Sequence, residues 1–169
     1  MSAFAKASAN AHFYKYFLAL QKRHIFNPAA ISAVFMSIIF GYAASWWVGT
    51  LIMLPVITLG GLLILRKTQR ENIASGFICT YLLIVGVGSL LVTGSLEAAL
   101  LTWQISVFHS ALFFFMFVML IEPLTSPTTS RLKIYYSFVV AFFYAVPQVK
   151  LISSLLTPEM ALLVGNVFS

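Results

Sequence analysis

The sequence predicts an all-α integral membrane protein: a polytopic helical bundle that includes short, broken helices. Hydrophobic residues make up 61% of the 169 residues and charged residues only 8%, and the mean hydropathy is +0.98. A water-soluble core of this size does not need that much apolar surface. Long apolar runs also alternate with polar junctions marked by proline, a pattern typical of helices that cross a bilayer or enter it partway.

The charge pattern is basic and sparse. Ten Lys and Arg residues oppose four acidic residues, giving a formal net charge of +6. In a membrane protein this balance indicates basic loops that face the cytoplasm and anionic lipid headgroups, so we predict membrane lipid and no nucleic acid among the partners. The single cysteine, Cys79, cannot form an internal disulfide or by itself build a cysteine metal site. We predict no metal ligands.

Two regions are predicted along the chain. Residues 1–24 mix aromatic and charged side chains and predict an N-terminal interfacial helix or a truncated span. Residues 25–169 predict a polytopic membrane domain with about five long helices and two short ones. The short helices open at Pro28 and Pro158, because proline suits the first helical turn and Asn27 and Thr157 precede them as N-caps.

The individual helices follow from the apolar runs between these signals. A helix from residue 29 to about 42 is shorter than the roughly 20 residues of a full crossing. The other expected elements are a span at 48–65 with Pro55 as an internal kink, a span at 73–92, a short helix from 96 to about 104 leading into a span at 105–121, and a span at 134–146 ended by Pro147.

The basic residues predict an orientation. The loops at residues 66–71 and 122–133 are separated by two crossings, so they return to the same side of the membrane. Both carry Lys and Arg, which places them in the cytoplasm by the positive-inside rule. The opposite side, near residues 92–101, carries only Glu97.

The strongest site candidate is the junction at residues 122–129, which reads EPLTSPTT. A carboxylate follows an apolar run, and two prolines bracket hydroxyl side chains where the helix loses its backbone partners. Irregular polar backbone at membrane depth requires protein or a wet cavity around it. The simpler alternatives are a plain loop that caps the next helix, or junctions that satisfy one another and leave no cavity. We predict one cytoplasm-side pocket whose cofactor-binding residues are Asn27, Glu122, Thr125, Ser126, Thr128 and Glu159.

Three stretches together carry a family resemblance. They are HxFNPAA at residues 24–30, EPLTSPTT at residues 122–129, and TPE at 157–159 followed by GNVF at 165–168. In this order they resemble the family of membrane subunits found in the sodium-pumping NADH:quinone reductase and in the Rnf electron-transport complex. They are most similar to a variant in which this membrane domain precedes a ferredoxin–NADP reductase-like module. The resemblance covers roughly residues 22–169.

The resemblance implies a fold similar to one part of a urea-transporter-like inverted-repeat fold, with electrons passing through a flavin in the membrane. Family members carry a Ser/Thr-Gly-Ala-Thr sequence for covalent FMN, which this chain lacks. The implied cofactor is therefore non-covalent FMN or riboflavin, or a quinone. The implied partners are an FAD/NAD(P)H reductase module or subunit and other membrane subunits, in a bacterial inner membrane.

The sequence accordingly predicts a non-catalytic or partial subunit of an NAD(P)H-linked electron-transport oxidoreductase. It would pass electrons from a soluble flavoprotein through the bound flavin or quinone, with the cofactor supplying the redox chemistry. Two alternatives stay open at this point. One is a transporter-like solute or ion pore framed by the broken helices near Pro28 and Pro158. The other is a membrane anchor without a redox site.

Overall fold

A computed structural model describes residues 19–20, 23–24, 26–41, 44, 46–149 and 156–167 of the chain. Within them the fold is all-α, apart from a minimal antiparallel pair of strands, β1 and β2. The elements are β1 (Ala19–Leu20), β2 (Arg23–His24), α1 (Pro28–Phe40), α2 (Leu54–Thr68), α3 (Glu71–Thr93), α4 (Leu96–Phe108), α5 (Leu112–Phe114), a π-helix (Phe115–Leu120), α6 (Ser130–Ala145) and α7 (Pro158–Asn166).

The two short proline-opened helices begin where the sequence predicts. Helix α1 starts at Pro28, and the Asn27 side-chain oxygen accepts from the backbone N–H groups of Ala29 and Ala30 at 2.9 and 3.1 Å. Helix α7 starts at Pro158, with the Thr157 hydroxyl as its cap. Proline lacks an N–H, so it fits the first turn, where that donor has no helical partner.

The same physics corrects the prediction for Pro55. This proline lies in the first turn of α2 and does not kink the middle of a longer span. The ordered helix therefore begins at Leu54 instead of residue 48. Its last turn carries Arg66 and Lys67, which suit the negative end of the helix dipole.

The predicted boundary between a short helix and a span near residue 105 is also wrong. Helix α4 continues to Phe108, and the chain breaks at residues 109–111 before α5 and the π-helix continue, bent by 51°. At the break the Ser110 hydroxyl donates to the Ser106 carbonyl at 2.6 Å and accepts from the Leu112 N–H at 3.3 Å. A hydroxyl that bonds back to the preceding turn in this way bends helices.

Helix lengths give fewer spans than the five or so that the sequence predicts. Within the described residues, α3 is the one helix long and apolar enough to cross a membrane, and α4 with the bent α5 and π-helix forms a second candidate. Helices α2 and α6 have 15 and 16 residues. The predicted interfacial helix in residues 1–24 lies mostly outside the described residues. In that range the structure describes only β1 and β2.

The core lies between α3 and α6, which pack against each other along their length. Its centre is a set of aromatic rings, with Phe115 and Tyr144 centroids 4.6 Å apart and Tyr81 and Tyr144 centroids 5.5 Å apart. Helix α7 packs on α6, and α1 packs on α7. This arrangement brings both proline-opened helices to the side of the π-helix and the junction that follows it.

Neighbouring glycines on α2 offer a matched test of this packing. A Cβ added at Gly61 would lie 2.6 Å from the Cβ of Phe117 and would overlap that side chain. A Cβ added at Gly60 would meet no atom within 4 Å. Overpacking of this kind costs about 1–3 kcal/mol, while Ala in place of a helical Gly contributes roughly 0.5–1 kcal/mol of stability. We expect Gly61→Ala to lower the thermal unfolding midpoint of the purified protein and Gly60→Ala to hold or raise it. Equal shifts for the two variants would contradict the contact between α2 and the π-helix.

Candidate functional site

The candidate site forms where the start of α1 meets the turn after the π-helix. The Asn27 side-chain nitrogen donates to Glu122 Oε2 at 2.6 Å, across 95 residues of sequence. The oxygen of the same amide caps α1. A carboxylate is thereby held close to the positive end of the α1 dipole, where negative charge is stabilised. Asn27 is buried, and Glu122 is half-buried.

The turn itself folds back onto Glu122. The Thr125 hydroxyl donates to Glu122 Oε2 at 3.3 Å, and the Ser126 hydroxyl donates to the Glu122 carbonyl at 2.6 Å. The backbone N–H of Ser126 donates to the same carbonyl at 3.1 Å. Both hydroxyl side chains are buried. These bonds replace the helical partners that the chain loses at Pro123.

Arg70, which lies between α2 and α3, holds the other side of the turn. Its guanidinium donates to the Ser126 hydroxyl, to the Pro127 carbonyl at 3.2 Å and to the Pro123 carbonyl at 3.3 Å. Only 7% of the residue is exposed. The planar guanidinium suits this task because its donors point to several acceptors at once. The two basic loops predicted from the sequence therefore touch, at one end of the bundle.

Asn166, the last residue of α7, brings the end of that helix to the same place. Its amide nitrogen donates to the Thr125 carbonyl at 3.2 Å and its amide oxygen accepts from the Asn27 N–H at 2.9 Å, the orientation in which both atoms meet a complementary partner. The Tyr136 hydroxyl lies 3.4 Å from the same amide and donates to the Leu120 carbonyl at 3.2 Å. We call Asn27, Arg70, Glu122, Thr125, Ser126, Tyr136 and Asn166 the junction cluster.

The structure brings four of the six predicted site residues into this cluster: Asn27, Glu122, Thr125 and Ser126. Thr128 lies on the exposed rim of the turn, and its hydroxyl makes no hydrogen bond within the described residues. Glu159 is elsewhere, in the first turn of α7, where its Oε1 accepts from the Trp46 indole N–H at 2.8 Å. The residues expected in a single pocket are therefore separated: the junction cluster lies at the Asn166 end of α7, and Glu159 lies with Trp46 at the other end. Cofactor binding by these residues stays a prediction.

Sequence reasoning misses Arg70, Tyr136 and Asn166. Arg70 falls in a basic loop that is expected to face solvent, and nothing in a single sequence distinguishes a buried arginine from its exposed neighbours. Asn166 carries a weak signal, since an amide after an apolar helix often serves a helix end. No group of three His, Cys, Asp or Glu side chains within the described residues is placed to hold a metal ion.

The buried side-chain donors of Asn27, Thr125 and Ser126 bond within the junction cluster. Thr125, Ser126 and the Asn27 amide all bond to Glu122 or to helix ends, so they fix the conformation of the turn. The Thr128 hydroxyl lies at the exposed rim beside those of Thr129 and Ser130, and none of the three makes a hydrogen bond within the described residues. The buried residues Thr125 and Ser126 hold that rim in place through their bonds to Glu122.

No family model, curated protein or solved structure matches this chain. The family resemblance of residues 24–30, 122–129 and 157–168 therefore stays a prediction.

The bond between Asn27 and Glu122 can be tested by exchanging its partners. Asn27→Asp keeps an N-cap oxygen for α1 but places a second carboxylate against Glu122, so we expect a loss of about 2 kcal/mol in unfolding free energy. Adding Glu122→Gln supplies an amide donor to the new carboxylate and should restore part of that loss. The measurement is denaturant unfolding of the purified protein. An identical loss from Asn27→Asp in both backgrounds would show that the two side chains do not interact.

Proposed function

We propose that this chain is a membrane-embedded subunit of an electron-transport oxidoreductase, with its redox cofactor at the rim of the junction cluster. One observation carries the proposal. Parts of all three sequence stretches that resemble the electron-transport membrane subunits meet at one place: Asn27 bonds Glu122, and Asn166 of the 165–168 part of the third stretch makes two amide contacts with the other two. Stretches that are conspicuous in sequence and converge in space are the expected form of a functional site.

A membrane location is supported by the outward faces of the helices. The most apolar window of α3 has a mean hydropathy of 2.1, and only 22% of it is buried inside the protein. Leu63, Leu83 and Leu91 are 68%, 64% and 78% exposed. Apolar surface on this scale is unfavourable in water and suits lipid contact. We therefore propose a multi-pass protein of a bacterial inner membrane.

The contact of Arg70 with the 122–129 turn supports the proposed orientation. It places the exposed side chains of Arg66, Lys67 and Arg131 at the same end of the bundle. By the positive-inside rule this end faces the cytoplasm. The same charges would attract anionic headgroups and speed encounter with an acidic, NAD(P)H-oxidising reductase module or subunit.

The proposed cofactor is a non-covalent flavin, FMN or riboflavin, or a quinone, which would supply the electron-transfer chemistry when bound. Thr128 offers a hydroxyl donor to a carbonyl of such a ring. Glu122 and Thr125 hold the turn from within, and Arg70 holds it from the other side. These residues bind and orient, and the flat apolar ring would lie against lipid-facing side chains.

A second function, a solute or ion pore, has one observation in its favour. Helices α1 and α7 are short and antiparallel, because the start of α1 contacts the end of α7 while Trp46, beyond the end of α1, contacts the start of α7. Paired half-helices of this kind frame substrate sites in transporters. Flavin or quinone bands in the purified protein favour the redox proposal, and colourless protein that takes up solute in vesicles favours the pore.

Cysteine labelling tests the proposed topology. In a Cys79→Ser background, Thr68→Cys and Thr129→Cys should react with an impermeant maleimide from the cytoplasmic side, and Glu97→Cys from the opposite side. The native Cys79 lies on the exposed face in the middle part of α3 and should resist the impermeant reagent from both sides. Labels on Thr68→Cys and Thr129→Cys from different sides would overturn the topology.

Cofactor binding is tested at the rim hydroxyl. Thr128→Val keeps the side-chain shape but removes the donor, so we expect about tenfold weaker binding of FMN, riboflavin or a soluble quinone, as for one lost hydrogen bond. Thr125→Val should chiefly lower stability because it removes a donor to Glu122. Thr50→Val, at an exposed hydroxyl before α2 that likewise makes no hydrogen bond within the described residues, is the matched control. Affinity is measured by quenching of flavin fluorescence or by a quinone titration. Absence of binding by the unaltered protein, or equal affinities for all variants, would remove the proposed site.

A further inference from the structure

Four accessible basic side chains lie around the two loops that Arg70 joins. They are Arg66, Lys67 and Arg131, which are exposed, and Lys133, which is half-buried, and we call these four the basic patch. None of the four forms an ion pair within the described residues. Unpaired cations gathered at one surface create a positive potential that attracts anions.

The contacts of Arg70 tie the two halves of the basic patch together. Its buried guanidinium donates to the Pro123 carbonyl at 3.3 Å and to the Pro127 carbonyl at 3.2 Å. Lys67 precedes Arg70 by three positions, and Arg131 follows Pro127 by four. Each half is thus a few residues from a fixed contact, so the patch is one defined surface and not two independent loops.

Two hydroxyl groups lie next to Arg131 at the start of α6. Thr129 and Ser130 are exposed, and neither hydroxyl makes a hydrogen bond within the described residues. Hydroxyl, ammonium and guanidinium groups are the side-chain donors that bind phosphate oxygens. The chemistry of this surface therefore suits a phosphate group.

The outer face of α2 continues from the basic patch as an apolar stripe. Val56, Leu59 and Leu63 are exposed and follow one another at intervals of three or four residues. The next positions at that spacing are Arg66 and Lys67. Residues three and four apart share a helix face, so the cations lie at the end of the apolar stripe.

Helix α6 has the same pattern on its outer face. Tyr135, Phe138 and Phe142 are exposed at helical spacing, and Arg131 lies one turn before Tyr135. Both faces are therefore cationic at the proposed cytoplasmic end and apolar along the rest. A soluble anion would use only the cationic part, and an acidic protein surface would leave the apolar part uncovered. A phospholipid with an anionic headgroup complements both parts.

We propose that the basic patch binds the phosphate of an anionic phospholipid, whose acyl chains lie along the exposed stripes of α2 and α6. The bound headgroup reduces the repulsion among the four cations and bridges the two loops that meet at Arg70. Lipid binding therefore stabilises the folded protein. The proposal rests on the proposed membrane location and orientation, but not on a flavin or quinone.

The test compares two lipids that have the same acyl chains. Dioleoylphosphatidylglycerol is anionic, and dioleoylphosphatidylcholine is zwitterionic. The purified protein in detergent is titrated with each lipid, and bound lipid is counted by native mass spectrometry. We expect about tenfold tighter binding of the phosphatidylglycerol, with a preference that falls at high salt. Arg131→Gln should weaken binding of the anionic lipid about fivefold, as for one charge near an anionic headgroup. Arg131→Lys should keep most of the affinity.

Lys150→Gln is the matched control, because it changes the net charge by the same amount. The residue before it, Val149, lies against Gly88 toward the opposite end of α3. Equal affinities of the unaltered protein for the two lipids, or equal losses from Lys150→Gln and Arg131→Gln, would overturn the proposal. Displacement of the lipid by excess inorganic phosphate at constant ionic strength would also overturn it, because the site would then be one for soluble anions. None of these readouts depends on flavin or quinone content, and the cysteine labelling reports on the membrane location separately.

Discussion

The structure depends on one constraint: each interrupted helix end must find partners for its free backbone groups. The bond between Asn27 and Glu122 meets this constraint for two helices at once. The oxygen of the Asn27 amide satisfies the first N–H groups of α1, and its nitrogen binds the carboxylate at the end of the π-helix. Arg70 and Asn166 then satisfy the carbonyl groups of the turn. In a low-dielectric environment such a network is stable only when its members are paired together.

This constraint accounts for the division of polar groups along α7. At the Asn166 end, both amide atoms have a complementary partner, so that end is held in one arrangement. The exposed hydroxyl groups at this end are those at the rim of the turn. At the Glu159 end, the Trp46 indole N–H donates to Oε1 of the buried carboxyl group at 2.8 Å. A matched network of this kind fixes the conformation of the turn. Helix α6 packs against α7, and its Tyr136 reaches the Asn166 end.

Some of this is predictable because proline and its caps act locally. Asn27 with Pro28, and Thr157 with Pro158, locate the starts of α1 and α7 from sequence alone. Pro55 is harder to interpret because a proline between apolar runs is equally compatible with a kink or a first turn, and only packing decides between them. The break at residues 109–111 has no glycine or proline, and it depends on a serine that bonds back to the preceding turn.

The site residues that sequence reasoning misses have a common physical reason. Arg70 and Asn166 act through contacts with residues far away in the chain, so no local pattern reveals them. The bond from the Trp46 indole N–H to Glu159 likewise joins residues 113 positions apart. Glu159 resembles Glu122 in sequence, since each is a carboxylate next to proline at a helix junction. The antiparallel packing of α1 and α7 places them at opposite ends of α7, which a sequence pattern does not record.

The most direct test of this account is hydrogen exchange of the purified protein in lipid after Asn166→Ala. The account predicts that peptides covering the start of α1 and the 122–129 turn gain exchange together, because the same amide holds the Asn27 N–H and the Thr125 carbonyl. Peptides from the middle of α3 should keep their protection. Faster exchange confined to the end of α7, with the other two segments unchanged, would contradict the claim that the start of α1, the 122–129 turn and the end of α7 form one network.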